Sequence, residues 1–188
     1  MKRLALVAAL IAVSAAAQAA PVTYTIDNSH TYPHFTYNHL GFSNQTHKFD
    51  KTSGTVVLDR AAKTGSVDVT IDATSVNTGY ALFNEHIQAA DYFDTANHPA
   101  ITFKSSKMTF KGDQPVSVAG DLTIKGVTKP VTLTVTSFHC MPHPMLKRDA
   151  CGANATTKIK RSEFNAGKNA PFVSDEVTLT IPVEAVKE

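Results

Sequence analysis

The 188-residue chain reads as an all-β protein: one antiparallel barrel, or a sandwich, of about eight or nine strands with one short α-helix. Three observations carry this. In Gly120–Val135, apolar residues fall on every second position, at Leu122 and Ile124 and again at Val131, Leu133 and Val135, while Thr123, Thr132 and Thr134 take the other face. A period of two is the alternation of a strand with one buried face and one wet face. The same alternation recurs along nearly the whole chain, and a single stretch interrupts it with helical spacing. Sheets built this way close on themselves or pair face to face, because an open edge invites association.

Val22–Asp27 forms the first strand and Pro33–His39 the second, with Phe35, Tyr37 and His39 on one face. Pro33 donates no ladder bond and so marks an edge or a bend. Phe49–Asp59 and Gly65–Ala73 form a hairpin across Arg60–Thr64; in its second arm Val67, Val69 and Ile71 alternate with Ser66, Asp68, Thr70 and Asp72. Thr78–Phe93 breaks the period. Phe83, Ile87 and Ala90 are spaced i, i+4, i+7, which predicts a short helix capped by Asn77 or Thr78 whose Phe83/Ile87 face covers an end or flank of the barrel. Strands resume at Ala100–Phe110, with Ile101 and Phe103 on one face, and continue through Pro115–Ala119 and Gly120–Val135. Lys125-Gly126 supplies a turn or bulge, since Gly tolerates positive φ. Ala153–Glu163 and Glu176–Val183 complete the set.

Residues 1–19 stand apart. A basic start (Lys2-Arg3), an apolar run from Leu4 to Ala17 and the small-x-small Ala17-Gln18-Ala19 read as a secretory signal peptide cut before Ala20. The domain is then 20–188, about 169 residues, enough for one sizeable core. Of 18 Lys and Arg, Lys2 and Arg3 leave with the signal, so the remaining bases balance the 16 acids. No basic cluster is interleaved with aromatics, and no nucleic-acid partner is expected. Two cysteines in an exported chain predict a Cys140–Cys151 disulfide around a proline-bearing loop.

Several segments resemble one family. Asp27-x-x-His30 with Phe35 and His39-x-Gly41 resembles the opening of the YceI-like family, as do Val69-x-Ile71-x-x-x-Ser75-Val76-x-Thr78 and Asp91-x-Phe93-Asp94. His98-Pro99-x-Ile101-x-Phe103-x-Ser105, Gly120-x-Leu-Thr-Ile-x-Gly-Val-Thr-Lys129 and Ile159-x-Arg161-Ser162-x-Phe164 extend the match from about residue 24 to 185. Two departures are visible: Asn165 where that family usually has Gly, and the segment Thr31-Tyr32-Pro33-His34. The resemblance implies a periplasmic or secreted lipocalin-like antiparallel β-barrel of about eight strands that holds a polyisoprenoid or other long-chain lipid. It implies a binding or carrier protein with no catalytic reaction and no cofactor, and the residues themselves require no cofactor.

An apolar tube for such a chain draws on inward positions: Phe35, Tyr37, Val69, Ile71, Ile101, Phe103, Leu133 and Ile159 are the expected lining. Periodicity alone does not separate a lined cavity from a filled core. His39 shares the face of Phe35 and Tyr37, and Arg161 that of Ile159. A polar group on an inward face needs a partner or a solvated mouth. Either residue could meet a ligand head group, such as a quinone oxygen or a phosphate; alternatively Arg161 pairs with an internal carboxylate or caps a barrel end.

A competing class is a periplasmic metal-binding or redox protein using the His139–Cys151 loop. Cys140, His143 and Met145 resemble a copper-ligand loop, and His139 with His143 could hold zinc or copper. A disulfide would remove the thiolate. No catalytic constellation emerges: Asp27, Ser29 and His30 lie near one another without a G-x-S-x-G elbow, and Asp91 and Asp94 fall at a turn. The expected partners are the lipid and a transient membrane-protein partner that loads it. The chain is a monomer, or a homodimer through an edge at the Pro33 strand.

Overall fold

A computed structural model describes residues 20–188. Residues 1–19, where a signal peptide is expected, lie outside the described residues. Eleven strands carry the fold: β1 (Val22–Ile26), β2 (His34–His39), β3 (Ser43–Phe49), β4 (Thr52–Asp59), β5 (Thr64–Asp72), β6 (Val76–Asn77), β7 (Ala100–Lys111), β8 (Gln114–Ile124), β9 (Val127–Pro142), β10 (Asp149–Lys160) and β11 (Glu176–Lys187), with one helix, α1 (Ala81–Ile87), between β6 and β7. Eight of them, in the order β1-β4-β5-β7-β8-β9-β10-β11, close into an antiparallel barrel when β1 pairs back onto β11. Closure removes the open edges that alternating strands would otherwise present.

Strand β11 explains how the barrel accommodates β2. Its last turns pair with β1 (Ile26↔Ala185), while its first residues pair with β2 (Thr178↔Thr36). Residues 27–33 leave the sheet between these pairings. Thr31 fills the gap: its Oγ1 donates to Glu184 O (3.2 Å) and accepts from Glu184 N (3.0 Å). The unusual Thr31–His34 segment thus substitutes side-chain bonds for ladder bonds at a buried position. The expected edge at the Pro33 strand is corrected here. β2 is flanked by β11 and β3, so it offers no free edge for a homodimer.

Strand β3 escapes a sequence reading because Ser43–Lys48 is almost wholly polar. It is held by pairing with β2 and β6, with His47 and Phe49 inward. The long hairpins agree with the alternation. Ile124 pairs with Val127 across Lys125-Gly126, both at positive φ (49° and 74°), the geometry of a two-residue hairpin turn matched to strand twist. Where β7 bulges between Lys104 and Lys107, Ser105 Oγ donates to Ala119 O and accepts from Lys107 N (3.1 Å). Opposite that bulge a Cβ on Gly120 would overlap Lys104 O and sit 2.8 Å from Phe103 Cζ.

Two boundaries differ from expectation. Strand β10 begins at Asp149 and ends at Lys160, where Arg161–Phe164 turns into a short 3₁₀ helix. Asn165 then adopts φ 57°, a left-handed conformation that Gly and Asn tolerate best, which accounts for Asn in place of Gly. The predicted cap on α1 is also corrected: Tyr80 occupies the N-cap without a side-chain bond. Asn84 instead reaches back, its Oδ1 accepting from Thr78 N and Oγ1 (both 2.7 Å).

Candidate functional site: an apolar cavity open at one end

The barrel encloses a cavity of about 520 Å³, within the size range of small-molecule sites. Packing alternatives left open by periodicity are thereby decided: the interior is hollow. Val67, Val69 and Ile71 of β5, Ile101 and Phe103 of β7, Leu133 and Val135 of β9, and Val177 to Val183 of β11 project alternately into it. Phe35, Tyr37, Val69, Ile71, Ile101, Phe103, Leu133 and Ile159, the expected lining, border it, and so do the two head-group candidates His39 and Arg161.

Antiparallel connectivity assigns each loop to one of two ends. The turns 60–63, 112–113 and 143–148 gather at one end, and this end is closed. Tyr24, Leu58, Cys151 and Ala185 are buried there, with Phe138 and Cys140 packed on them. Cys140 and Cys151 are directly opposed across β9 and β10 and form the expected disulfide. The oxidised pair offers no thiolate to a metal. His143 Nδ1 accepts from the backbone N–H of Met145 (3.2 Å) and Leu146 (3.1 Å), an interaction that shapes the loop.

The other end carries the β2–β3 tip, α1 with the residues after it, the β8–β9 turn and loop 161–175. Every lining residue that is also exposed, namely His39, His86, Lys168 and Asn169, lies at this end, so the cavity opens here. The mouth is built from side chains that sequence periodicity does not group. Tyr92 Oη lies 3.2 Å from His86 Nε2 and 3.3 Å from Asn169 Nδ2, and Lys168 Nζ bonds Asp91 Oδ2 at 2.8 Å. The Lys168 ammonium lowers the Asp91 pKa, and Asp91 raises that of Lys168, so each holds the other charged at the rim. Asp91 is therefore an ion-pair partner rather than a cap. Asp94, at φ 50°, accepts from Asn97.

Phe83 and Ile87 do face the interior, as their spacing predicts. The segment is pinned by aromatic edges: Phe93 lies 5.6 Å from Phe35 and 5.4 Å from Phe49, and Phe83 lies 5.5 Å from His47. Tyr92, Phe93, Ala166 and Val173, also lining, have no periodic signal because they sit on loops.

Arg161 is bound from its own loop. Its Nε donates to Ser174 O (2.8 Å), Nη1 to Ala166 O (2.6 Å) and Lys168 O (2.7 Å), and Nη2 to Val173 O (2.7 Å). Four of a guanidinium's five N–H groups are thereby committed to carbonyls. Burial lowers its pKa, and Asp175 opposes that shift without forming an ion pair within 4 Å. Arg161 thus organises the mouth loop, nearer to capping a barrel end than to pairing with a carboxylate. His39, exposed beside Val173, keeps its ring free of side-chain partners among the described residues.

Outside the cavity, Asp27, His30 and Glu184 bring three ligand-type atoms within 4.8 Å of one another. Asp27 Oδ2 (2.8 Å) and Ser29 Oγ (3.0 Å) meet the same nitrogen of His30, Nδ1. A nucleophile–base–acid relay needs both imidazole nitrogens, so this cluster locks the turn after β1.

The family model for the YceI-like domain matches residues 24–185. Protein YceI of Escherichia coli O157:H7 is 36% identical over 176 residues, covering 92% of this chain and 91% of that protein. The crystal structure of BcnA from Burkholderia cenocepacia superposes with a TM-score of 0.73 at 29% identity, covering 85% of this chain and 99% of that one. A polyisoprenoid-binding domain from Saccharophagus degradans, at 20% identity and a TM-score of 0.66, shares the fold over 89% of this chain and 99% of its own.

Proposed function

The chain belongs to the YceI-like family, and from that premise we propose that it carries a long apolar lipid, polyisoprenoid in character, inside the barrel. The observation that supports this reading best is the cavity itself: about 520 Å³ of space walled by aliphatic and aromatic side chains and entered from one end. Burying a hydrocarbon chain there is worth about 0.8 kcal/mol per methylene, which favours long unbranched or prenyl chains over small polar molecules. The polyisoprenoid-binding domain of Saccharophagus degradans, which shares the fold, adds to the case.

In this reading Phe35, Val69, Ile71, Ile101, Phe103, Leu133 and Ile159 contact the chain. Tyr37, His39, His86 and Lys168 meet the polar end where it leaves the barrel. Arg161 acts on the ligand chiefly by shaping the loop around it. Residues 1–19 export the protein, and the carrier works in the periplasm, binding without catalysis. Organic extraction and mass spectrometry of protein purified from its native cells tests the reading. A stoichiometric isoprenoid or acyl lipid supports it. A protein empty as purified, and still empty after incubation with prenyl lipids and quinones, overturns it.

A further inference from the structure

We propose that the rim of the cavity mouth is a docking surface for a lipid bilayer, used to pass the carried chain directly between membrane and barrel; this rests on the carrier reading above. Among the described residues, eight large hydrophobic side chains are exposed, and five of them surround the mouth. Phe42 is 85% exposed at the β2–β3 tip with Leu40 beside it, Phe172 is 75% exposed on loop 161–175, and Tyr80 and Leu82 are exposed at the start of α1. The Leu40 N–H donates to Phe172 O (3.1 Å), so two of these segments form one continuous edge. None of the five belongs to the core.

The occupant follows from shape, charge and position. The apolar groups stand on the tips of three separate segments around an opening, which suits insertion into a soft apolar phase better than burial of one peptide. Residues 38–46, 78–84 and 169–174 contain no Asp, Glu, Lys or Arg, and the Lys168–Asp91 pair beside them is mutually neutralised at 2.8 Å. A tip without charge can enter the headgroup boundary without desolvating an ion. Phe and Tyr are the side chains that favour that boundary. Between these tips and the apolar wall lie His39, His86, Lys168 and Asn169, so a prenyl chain passing from a seated bilayer into the barrel would cross only that short polar collar. The remaining exposed hydrophobics, Met141, Met145 and Leu146, sit at the closed end and serve as an internal control.

Co-sedimentation with phosphatidylcholine vesicles tests this, using the protein, the F42S/F172S double variant and M145S. All three keep the same N-terminus, so any contribution of residues 1–19 cancels. Stoichiometric uptake of a prenyl alcohol from solution is measured in parallel. Vesicle partitioning is expected to fall at least tenfold in F42S/F172S, to stay unchanged in M145S, and to be insensitive to added salt, while prenyl alcohol uptake survives in every protein. Equal partitioning of F42S/F172S and the parent overturns the proposal. So does a concentration-dependent dimer, abolished by F42S/F172S, in a parent that ignores vesicles: the rim would then be an interface between two copies. A parent that partitions through Phe42 and Phe172 yet takes up no prenyl alcohol upholds the surface and sinks the carrier reading instead.

Discussion

Tyr37 Oη lies 3.1 Å from His47 Nε2, joining the cavity wall to a buried imidazole on the neighbouring strand. Phe35 and Phe83 pack edge-on against the same ring, both at 5.5 Å. His47 is therefore an ionisable group inside an aromatic enclosure, and burial lowers its pKa below the ordinary histidine value.

The sign of the resulting pH dependence is fixed. Below about pH 6.5 the unfolded chain binds a proton that folded His47 resists, so stability falls as pH drops toward the folded pKa. His30 acts in the opposite sense. Asp27 raises its pKa, so its contribution is present at low pH and fades as pH rises through that raised value. Melting temperatures between pH 7.5 and about pH 5, above the usual carboxylate range, should fall more steeply in the parent than in His47→Gln. Superimposable profiles would remove His47 from this role.

Arg161→Ala leaves four backbone carbonyls of one loop without their donor. A loss of about 2–4 kcal/mol is expected from denaturant titration, with faster proteolysis inside residues 165–173. Arg161→Lys should recover little, because an ammonium cannot reproduce the planar fork. Unchanged prenyl alcohol binding in Arg161→Lys would place the residue in the scaffold alone.

Reduction of Cys140–Cys151 opens a loop with a sequence separation of 11. Loop-closure entropy predicts a loss of about 2–3 kcal/mol on reduction or in the C140S/C151S variant. The bridge lies at the closed end, so lipid uptake should persist wherever the protein remains folded. Titration of the denatured, unreduced protein should find no free thiol.

Val69→Trp places an indole in the cavity from mid-strand β5. Filling an existing void costs far less than overpacking a full core, and stability should change by less than about 1.5 kcal/mol. Prenyl lipid affinity should drop at least tenfold. A stable variant with undiminished affinity would show that the chain lies elsewhere.

Most of the barrel was legible in the sequence because a half-buried strand must alternate. Val67-x-Val69-x-Ile71 and Val177-x-Leu179-x-Ile181-x-Val183 each identify their inward face without reference to any other strand. Strand β3 was illegible for the converse reason: Asn44, Gln45 and Thr46 bury little, and the strand exists because β2 and β6 supply its bonds. The candidate lining was legible wherever it lay on strands. The mouth was not, since Tyr92, Lys168 and Asn169 come from loops 77 residues apart that meet only in three dimensions.

The sequence by itself determined the faces of the alternating strands, the one helical interruption, the disulfide pairing and the apolar residues that point inward from those strands, all of which are local periodicities or pairings of few candidates. Tertiary structure decided that the barrel is hollow, which end opens, and that Arg161 serves its own loop. Those outcomes depend on the volume left after eight strands close, and on which loops closure brings together. Neither quantity is a property of any single segment.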